Sequence, residues 1–158
     1  MRPESYREWM FLSSGLRMNS KASNGGGETF RNVFVSPSAY HQFRATGGWP
    51  DKTVHVLEKR ESSSKGSVEI ADRFQTDLMG IGVEVKDVSR FPEKWAYFSF
   101  DSSTKTAQAN SKAVCWQCHH DHGAVENTLV QFYPTLKPVA RQFGTYQQAV
   151  EGPDSIRK

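Results

Sequence analysis

The chain has 158 residues, 12% of them aromatic and 23% charged, and twenty Lys and Arg against seventeen Asp and Glu leave a net charge of +3. That length fits one domain spanning residues 1–158, because chains of this size bury roughly 70% of their unfolded surface. A hydrophobic content of 37% rules out wholesale disorder, and the scattered basic residues give no case for a nucleic-acid partner. No run of about 18 apolar residues is present, so no membrane span is expected. Two cysteines are too few for a disulfide scaffold.

In chain order, Tyr6, Trp9, Met10 and Leu12 sit at helical spacings and predict a short amphipathic helix over 4–12. Asn24-Gly25-Gly26-Gly27 reads as a loop, and Thr29 to Val35 as a strand. Ser36-Pro37 looks like a helix start, with Ala39, Tyr40 and Phe43 on one face and a stop near Gly47-Gly48. After the Trp49-Pro50-Asp51 turn, Thr53 to Arg60 alternates as a strand with Val54 and Val56 opposite His55, Leu57 and Lys59. One or two strands follow in Ser67 to Lys86, clearest at Gly80 to Val85, and another at Trp95 to Phe100. Asp101 to Lys112 is a polar loop, a helix is expected from about Ala113, and the last dozen residues are expected to fray. Short strands flanked by helices predict an α+β fold with an antiparallel sheet.

Cys115-Trp116-Gln117-Cys118-His119 carries the chemistry. This is C-x-x-C-H, the attachment sequence of haem c: two thiols on one turn add to the two vinyl groups, and the adjacent imidazole becomes the axial ligand of the iron. The motif uses both cysteines of the chain. Zinc is the first competitor, since Cys115, Cys118, His119, His120 and His122 supply ligand types, but all lie within eight residues, too compressed for an ordinary structural site. A thioredoxin-like dithiol is the second, and it lacks the surrounding β-α-β pattern. Thioether attachment is normally completed outside the bacterial cytoplasm. A periplasmic mature chain is therefore expected, although the first residues, Met1 to Tyr6, contain no leader-like apolar stretch.

The side of the iron opposite His119 decides the chemistry. Met1, Met10, Met18 and Met79 all precede the motif, which excludes the small electron-transfer cytochrome c with its downstream Met ligand. The strand-like alternation upstream excludes the four-helix cytochromes c′.

A late C-x-x-C-H on a largely β scaffold resembles the cytochrome P-460 and cytochrome c′-beta family. The likeness runs through Tyr6-Arg7-Glu8-Trp9, Val33 to Tyr40, Asp51 to Glu58, Val85-Lys86-Asp87, Arg90-Phe91-Pro92, Trp95-Ala96 and, after the motif, Gln131 to Leu136. The resemblance implies a homodimer and one of two chemistries. P-460 members cross-link a lysine to the haem edge and oxidise hydroxylamine. Members of the c′-beta type lack that bond and bind small gases, notably nitric oxide, at a five-coordinate iron under an apolar cap. The cross-linking lysine falls at Leu57, which cannot make the bond, so the c′-beta type is expected.

Other residues qualify that expectation. Lys59 lies two positions on, about 6.6 Å along the same strand face, and reads as an exposed strand-end lysine unless the register slips. His55, on that face too, could reach a bound ligand or the iron, and is the candidate acid–base group for peroxide chemistry. Phe30 and Phe34 share one strand face and could crowd the ligand side. His41, His120 and His122 read as solvated, the last two near enough to the motif to influence haem propionates or a dimer surface.

Overall fold

In a computed structural model of the chain, residues 1–17, 27–69, 72–101 and 103–147 are described. Five strands form one antiparallel sheet in sequential order: β1 (Met10–Arg17), β2 (Thr29–Val35), β3 (Val54–Ser63), β4 (Phe74–Lys86) and β5 (Trp95–Asp101). Helices α1 (Pro37–Thr46), α2 (Trp116–His122) and α3 (Lys137–Gln142) complete an α+β fold, with 3-10 turns at Tyr6–Glu8 and Val130–Phe132. None of the helices is long and apolar enough to cross a membrane among the described residues.

The alternating pattern of β2 and β3 becomes two faces of the sheet, because directly paired residues point the same way. Val35 pairs with His55 and Val33 with Leu57, while His55 pairs with Glu84 and Leu57 with Gly82. On this face α1 and the C-terminal segment bury Phe43, Trp49, Trp95, Tyr97, Val130, Tyr133 and Leu136 into one core. The opposite face holds a second core of Tyr6, Val56, Ile81, Val83 and Phe100. The N-terminal 3-10 turn supplies its Tyr6, and Ala107 of the 101–110 loop packs against its edge.

Most elements follow the sequence expectation, and α1 does so at both ends. Pro37 opens the helix, and Gly47 closes it with φ 74°, a left-handed cap that glycine adopts without steric penalty. The Ser36 side chain makes no capping hydrogen bond, so the proline's fixed φ carries the start. The expected helix over 4–12 is a correction. Only Tyr6–Glu8 winds, and Met10 onward is strand β1 with Leu12 buried and Phe11 half exposed. The two apolar patterns coincide over so few residues, and pairing with β2 decides for the strand. The segment expected to hold one or two strands is the single long β4. Residues 24–26 of the glycine loop, Met18 and most of the expected fraying end lie outside the described residues.

Candidate functional site

α2 begins later than its sequence suggests. Cys115 stands at its N-cap, half-buried, and Cys118 is exposed one turn on. Residues 113–115 form a turn, so both thiols lie in the first winding of a short helix and His119 follows on its inner side.

The orientation of His119 is set by a tight return of the chain. Gly123 ends α2, and a Cβ there would sit 2.5 Å from the His119 carbonyl oxygen and 2.6 Å from the Asn127 carbonyl carbon. Only glycine allows this approach. Glu126 and Asn127 then take left-handed φ values of 47° and 63°, and Val125 and Thr128 bridge across them. Trp49 Nε1 donates to Thr128 Oγ1 at 2.8 Å, and Thr128 Oγ1 donates to the Val125 carbonyl at 2.6 Å, which locks the turn to the core. The product is a contact of 3.1 Å between His119 Nδ1 and the Asn127 carbonyl oxygen. A carbonyl can only accept, so Nδ1 carries the hydrogen and Nε2 keeps a free lone pair. A metal-binding imidazole is commonly fixed in this way.

Nε2 faces the sheet. A cavity of about 90 Å³ there is lined by residues that include Leu57, Lys59, Gly82, Glu84, Tyr97, Asn110, Cys115 and His119. The Tyr97 ring packs 4.7 Å from the His119 ring, and Asn110 Nδ2 lies 3.4 Å from Cys115 Sγ. Glu84 Oε1 comes within 3.5 Å of Nε2. The other carboxylate oxygen is 3.4 Å from His55 Nδ1 but without the alignment of a hydrogen bond, and it has no hydrogen-bond partner. Burial pushes the Glu84 carboxyl up, yet His119 and His55 outweigh it and hold it below the ordinary glutamate value. Tyr97 and Tyr133 are both raised well above an ordinary phenol, first by burial and then by the negative charge of Glu84.

The candidate residues thus separate. Cys115, His119 and Leu57 line one cavity, with Cys118 one turn along α2. Lys59 lines it too, half-buried, and is not the exposed strand-end lysine its position suggested. His55 does not line it. Its ring is buried edge-on to Trp49 at 4.4 Å and stacked on Trp95 at 5.6 Å, and it meets the site through Glu84. Phe30 and Phe34 do not cap this site. They pair with Arg60 and Val56, on the far face of the sheet, where Phe34 packs against Tyr6 and Phe11. His41, His120 and His122 are exposed, with His120 stacked on Trp116 at 4.5 Å.

Glu84, Tyr97, Asn110 and Asn127 escaped the sequence reading. For Glu84 a signal existed, since a carboxylate in the apolar run Gly82-Val83-Glu84-Val85 of a strand buried on both faces needs a reason. The carbonyl of Asn127 had none, because any residue supplies a carbonyl.

The donor set fits a covalently held haem: two thiols, an imidazole with its outer nitrogen fixed, and a wall in which Glu84 Oε2 and the Tyr97 hydroxyl lack hydrogen-bond partners within the protein. It does not fit zinc, since no group of three or more His, Cys, Asp or Glu residues suited to a metal ion occurs among the described residues.

The sequence model of the family described as Cytochrome P460 matches residues 3–129, which span the sheet, α2 and the turn behind His119. No curated protein sequence matches the chain.

Proposed function

The chain belongs to the cytochrome P460 family, whose members bind haem c, and on that premise we propose that it is a monohaem cytochrome that binds a small nitrogen-oxide ligand at an iron held by His119. The observation that carries this reading is the pairing of His119 Nδ1 with the Asn127 carbonyl, which leaves Nε2 aimed at a cavity with Leu57 in its wall.

Each residue has a separate task. Cys115 and Cys118 would tether a haem as thioethers through its two vinyl groups. His119 Nε2 would hold the iron, and the Asn127 carbonyl keeps the hydrogen on Nδ1 and the ring from turning. When bound, the haem would supply an iron able to take a small ligand. Leu57 offers the cavity no amine and no lone pair. Among the described residues no methionine lines the cavity, which favours a five-coordinate iron. Nitric oxide is the favoured ligand, because a narrow wall containing Leu57 and Gly82 solvates small neutral molecules at little cost. The ordinary site of thioether formation makes a periplasmic location part of this reading, and the family likeness makes a homodimer part of it.

Reduced protein should show a high-spin ferrous spectrum that changes on adding nitric oxide, and His119→Gly should restore coordination only with added imidazole. A six-coordinate low-spin ferrous spectrum without added ligand contradicts the proposal.

One observation favours a second reading, hydroxylamine oxidation. Lys59 lines the same cavity as Leu57, so an amine-bearing side chain adjoins it even though position 57 carries none. A haem-to-Lys59 bond would appear as a red-shifted Soret band and as a second haem-bearing peptide by mass spectrometry. Peroxide reduction loses its acid–base candidate, since His55 lies behind Glu84 and outside the cavity wall.

A further inference from the structure

The sheet face that carries Leu57 changes character within one step along the strands. Val33 pairs with Leu57 and Leu57 with Gly82, an apolar row; in the next row on that face, Arg31 pairs with Lys59 and Lys59 with Gly80. Two cations directly opposite each other on neighbouring strands repel. Among the described residues no carboxylate makes an ion pair with either, and Glu61, the next acidic side chain on this face of β3, is exposed. Arg60, adjacent to Lys59 but on the far face, meets Glu58 at 2.7 Å. Arg31 Nε is buried without a hydrogen-bond partner, and burial, then the positive charge of Arg17, holds its guanidinium below the ordinary value. A desolvated cation with another cation beside it and no counter-charge is destabilising, so the pair calls for an anion that the chain itself does not supply.

We propose that Arg31 and Lys59 bind the two carboxylates of the haem, the anionic groups on its rim, and so fix which way round it sits. The inference rests on the reading above that Cys115 and Cys118 tether a haem. A haem carries its vinyl groups and its propionates on opposite edges. The thiol end of the site is near β5, because Asn110 Nδ2 lies 3.4 Å from Cys115 Sγ and 2.9 Å from Ser99 Oγ of that strand. Arg31 stands on β2, three strand spacings away, about 14 Å, a separation that a tetrapyrrole with its side arms can span. Between the two ends the face offers Gly82 and Leu57, which suit an apolar ring. Lys59 lines the same cavity as Cys115 and His119, and Arg31 is its cross-strand partner. Arg31 brings a planar fork that meets a carboxylate with two parallel hydrogen bonds, and Lys59 brings a point charge. In this role the Lys59 ammonium is a donor to a carboxylate and not a nucleophile toward the ring.

The test is resonance Raman spectroscopy of the ferrous holoprotein, whose propionate bending bands report hydrogen bonds to the haem carboxylates, together with a potentiometric titration. Both are run on wild type, Arg31→Leu, Arg31→Lys, Lys59→Leu and the double Leu variant. Arg31→Leu and Lys59→Leu should each shift propionate bending to lower frequency and lower the reduction potential, since an unpaired carboxylate favours ferric iron. The double variant should show the largest shift of both quantities. Arg31→Lys keeps the charge but loses the fork, and should restore the potential more fully than the band. Bands unmoved in the double variant overturn the proposal, and so does a potential lowered without any change in the bands, which marks a distant charge and not a contact. Should Arg31→Leu fail to load haem, Lys59→Leu, at a half-buried position, gives the same decision. A haem-bearing peptide cross-linked at Lys59 also overturns the pairing. Wild-type protein from which acid–acetone removes all the haem overturns the thioether reading itself, whereas covalent haem with unmoved bands overturns the Arg31 and Lys59 proposal alone.

Discussion

Two glutamates on opposite faces of the sheet, Glu58 with 1% and Glu84 with 15% of the side chain exposed, are treated in opposite ways. Glu58 is surrounded. Its Oε1 accepts from Tyr6 Oη at 3.1 Å, Arg7 Nε at 3.1 Å and Nη2 at 2.7 Å, and Arg60 Nε at 2.7 Å, while Oε2 accepts from Asn32 Nδ2 at 3.2 Å. Burial alone would raise its pKa, but these donors together hold it below the ordinary glutamate value. Glu84 has two histidines at 3.4–3.5 Å and no hydrogen bond to Oε2. The face of Glu58 spends its polar groups on clasping the N-terminal turn to the sheet. That of Glu84 leaves polar atoms without hydrogen-bond partners beside the imidazole. The same residue type is surrounded by donors in one place and left with an oxygen lacking any hydrogen bond in the other, and the difference is read from its partners.

The largest effect that separates the faces is on the Glu84 side. Replacing Cys115 and Cys118 together by Ala should abolish covalent haem, so that acid–acetone extraction leaves none on the polypeptide. Retention of haem after extraction would break the assignment. Next is Glu58→Ala, which strips several donors of their common acceptor and should cost about 2 kcal/mol, read as a lower urea midpoint. Because Arg7 is more than half exposed and can rehydrate, the full penalty for orphaning a buried charge does not apply. The ferrous spectrum of this variant should stay as in wild type; a changed spectrum would show that the faces are not independent. Gly123→Ala comes third, forcing a Cβ into the His119 and Asn127 backbone. Overpacking of this kind costs about 1–3 kcal/mol, and here it should also shift the iron–histidine stretching band, since the Asn127 carbonyl moves away from Nδ1.

The smallest effect concerns pH. Lys52 beside Asp87, with the Ser89 hydroxyl and the Arg90 amide, lowers the Asp87 carboxyl to about 2 from 3.8. The folded pKa lies below the unfolded one, so the unfolded chain takes up the proton first as the pH falls. The stabilisation is therefore complete above about pH 4 and is lost on the way down to about pH 2. Asp87→Asn should flatten the acid limb of the stability curve in that window and leave neutral-pH ligand binding untouched.

Much of the scaffold was legible in the sequence because local chemistry and tertiary packing agree. Pro37 and Gly47 bound α1, and Thr29 and Val35 bound β2 as expected. The N-terminal segment was misread where local pattern and pairing disagree, since Tyr6, Trp9, Met10 and Leu12 satisfy a helical spacing but Met10 and Leu12 also alternate as a strand. At the site, the proposed haem-binding residues Cys115, Cys118 and His119 were legible as a contiguous motif. Its far wall was not. Leu57 was placed by family likeness and does line the cavity, but Phe30 and Phe34 were assigned to the wrong face. Strand alternation shows that Phe34 and Leu57 differ in parity, yet only the register Val33 to Leu57 shows that unlike parity means opposite faces. Glu84 went unremarked because its partners, His55 and His119, come from β3 and α2, far apart in the chain.

The central claim is that His119 alone would hold the iron from the protein, with the remaining axial position left for a ligand. The optical spectrum of the purified protein, oxidised and then reduced with no ligand added, tests it most directly. The account predicts a high-spin five-coordinate ferrous haem. A low-spin six-coordinate spectrum in the reduced state would contradict it.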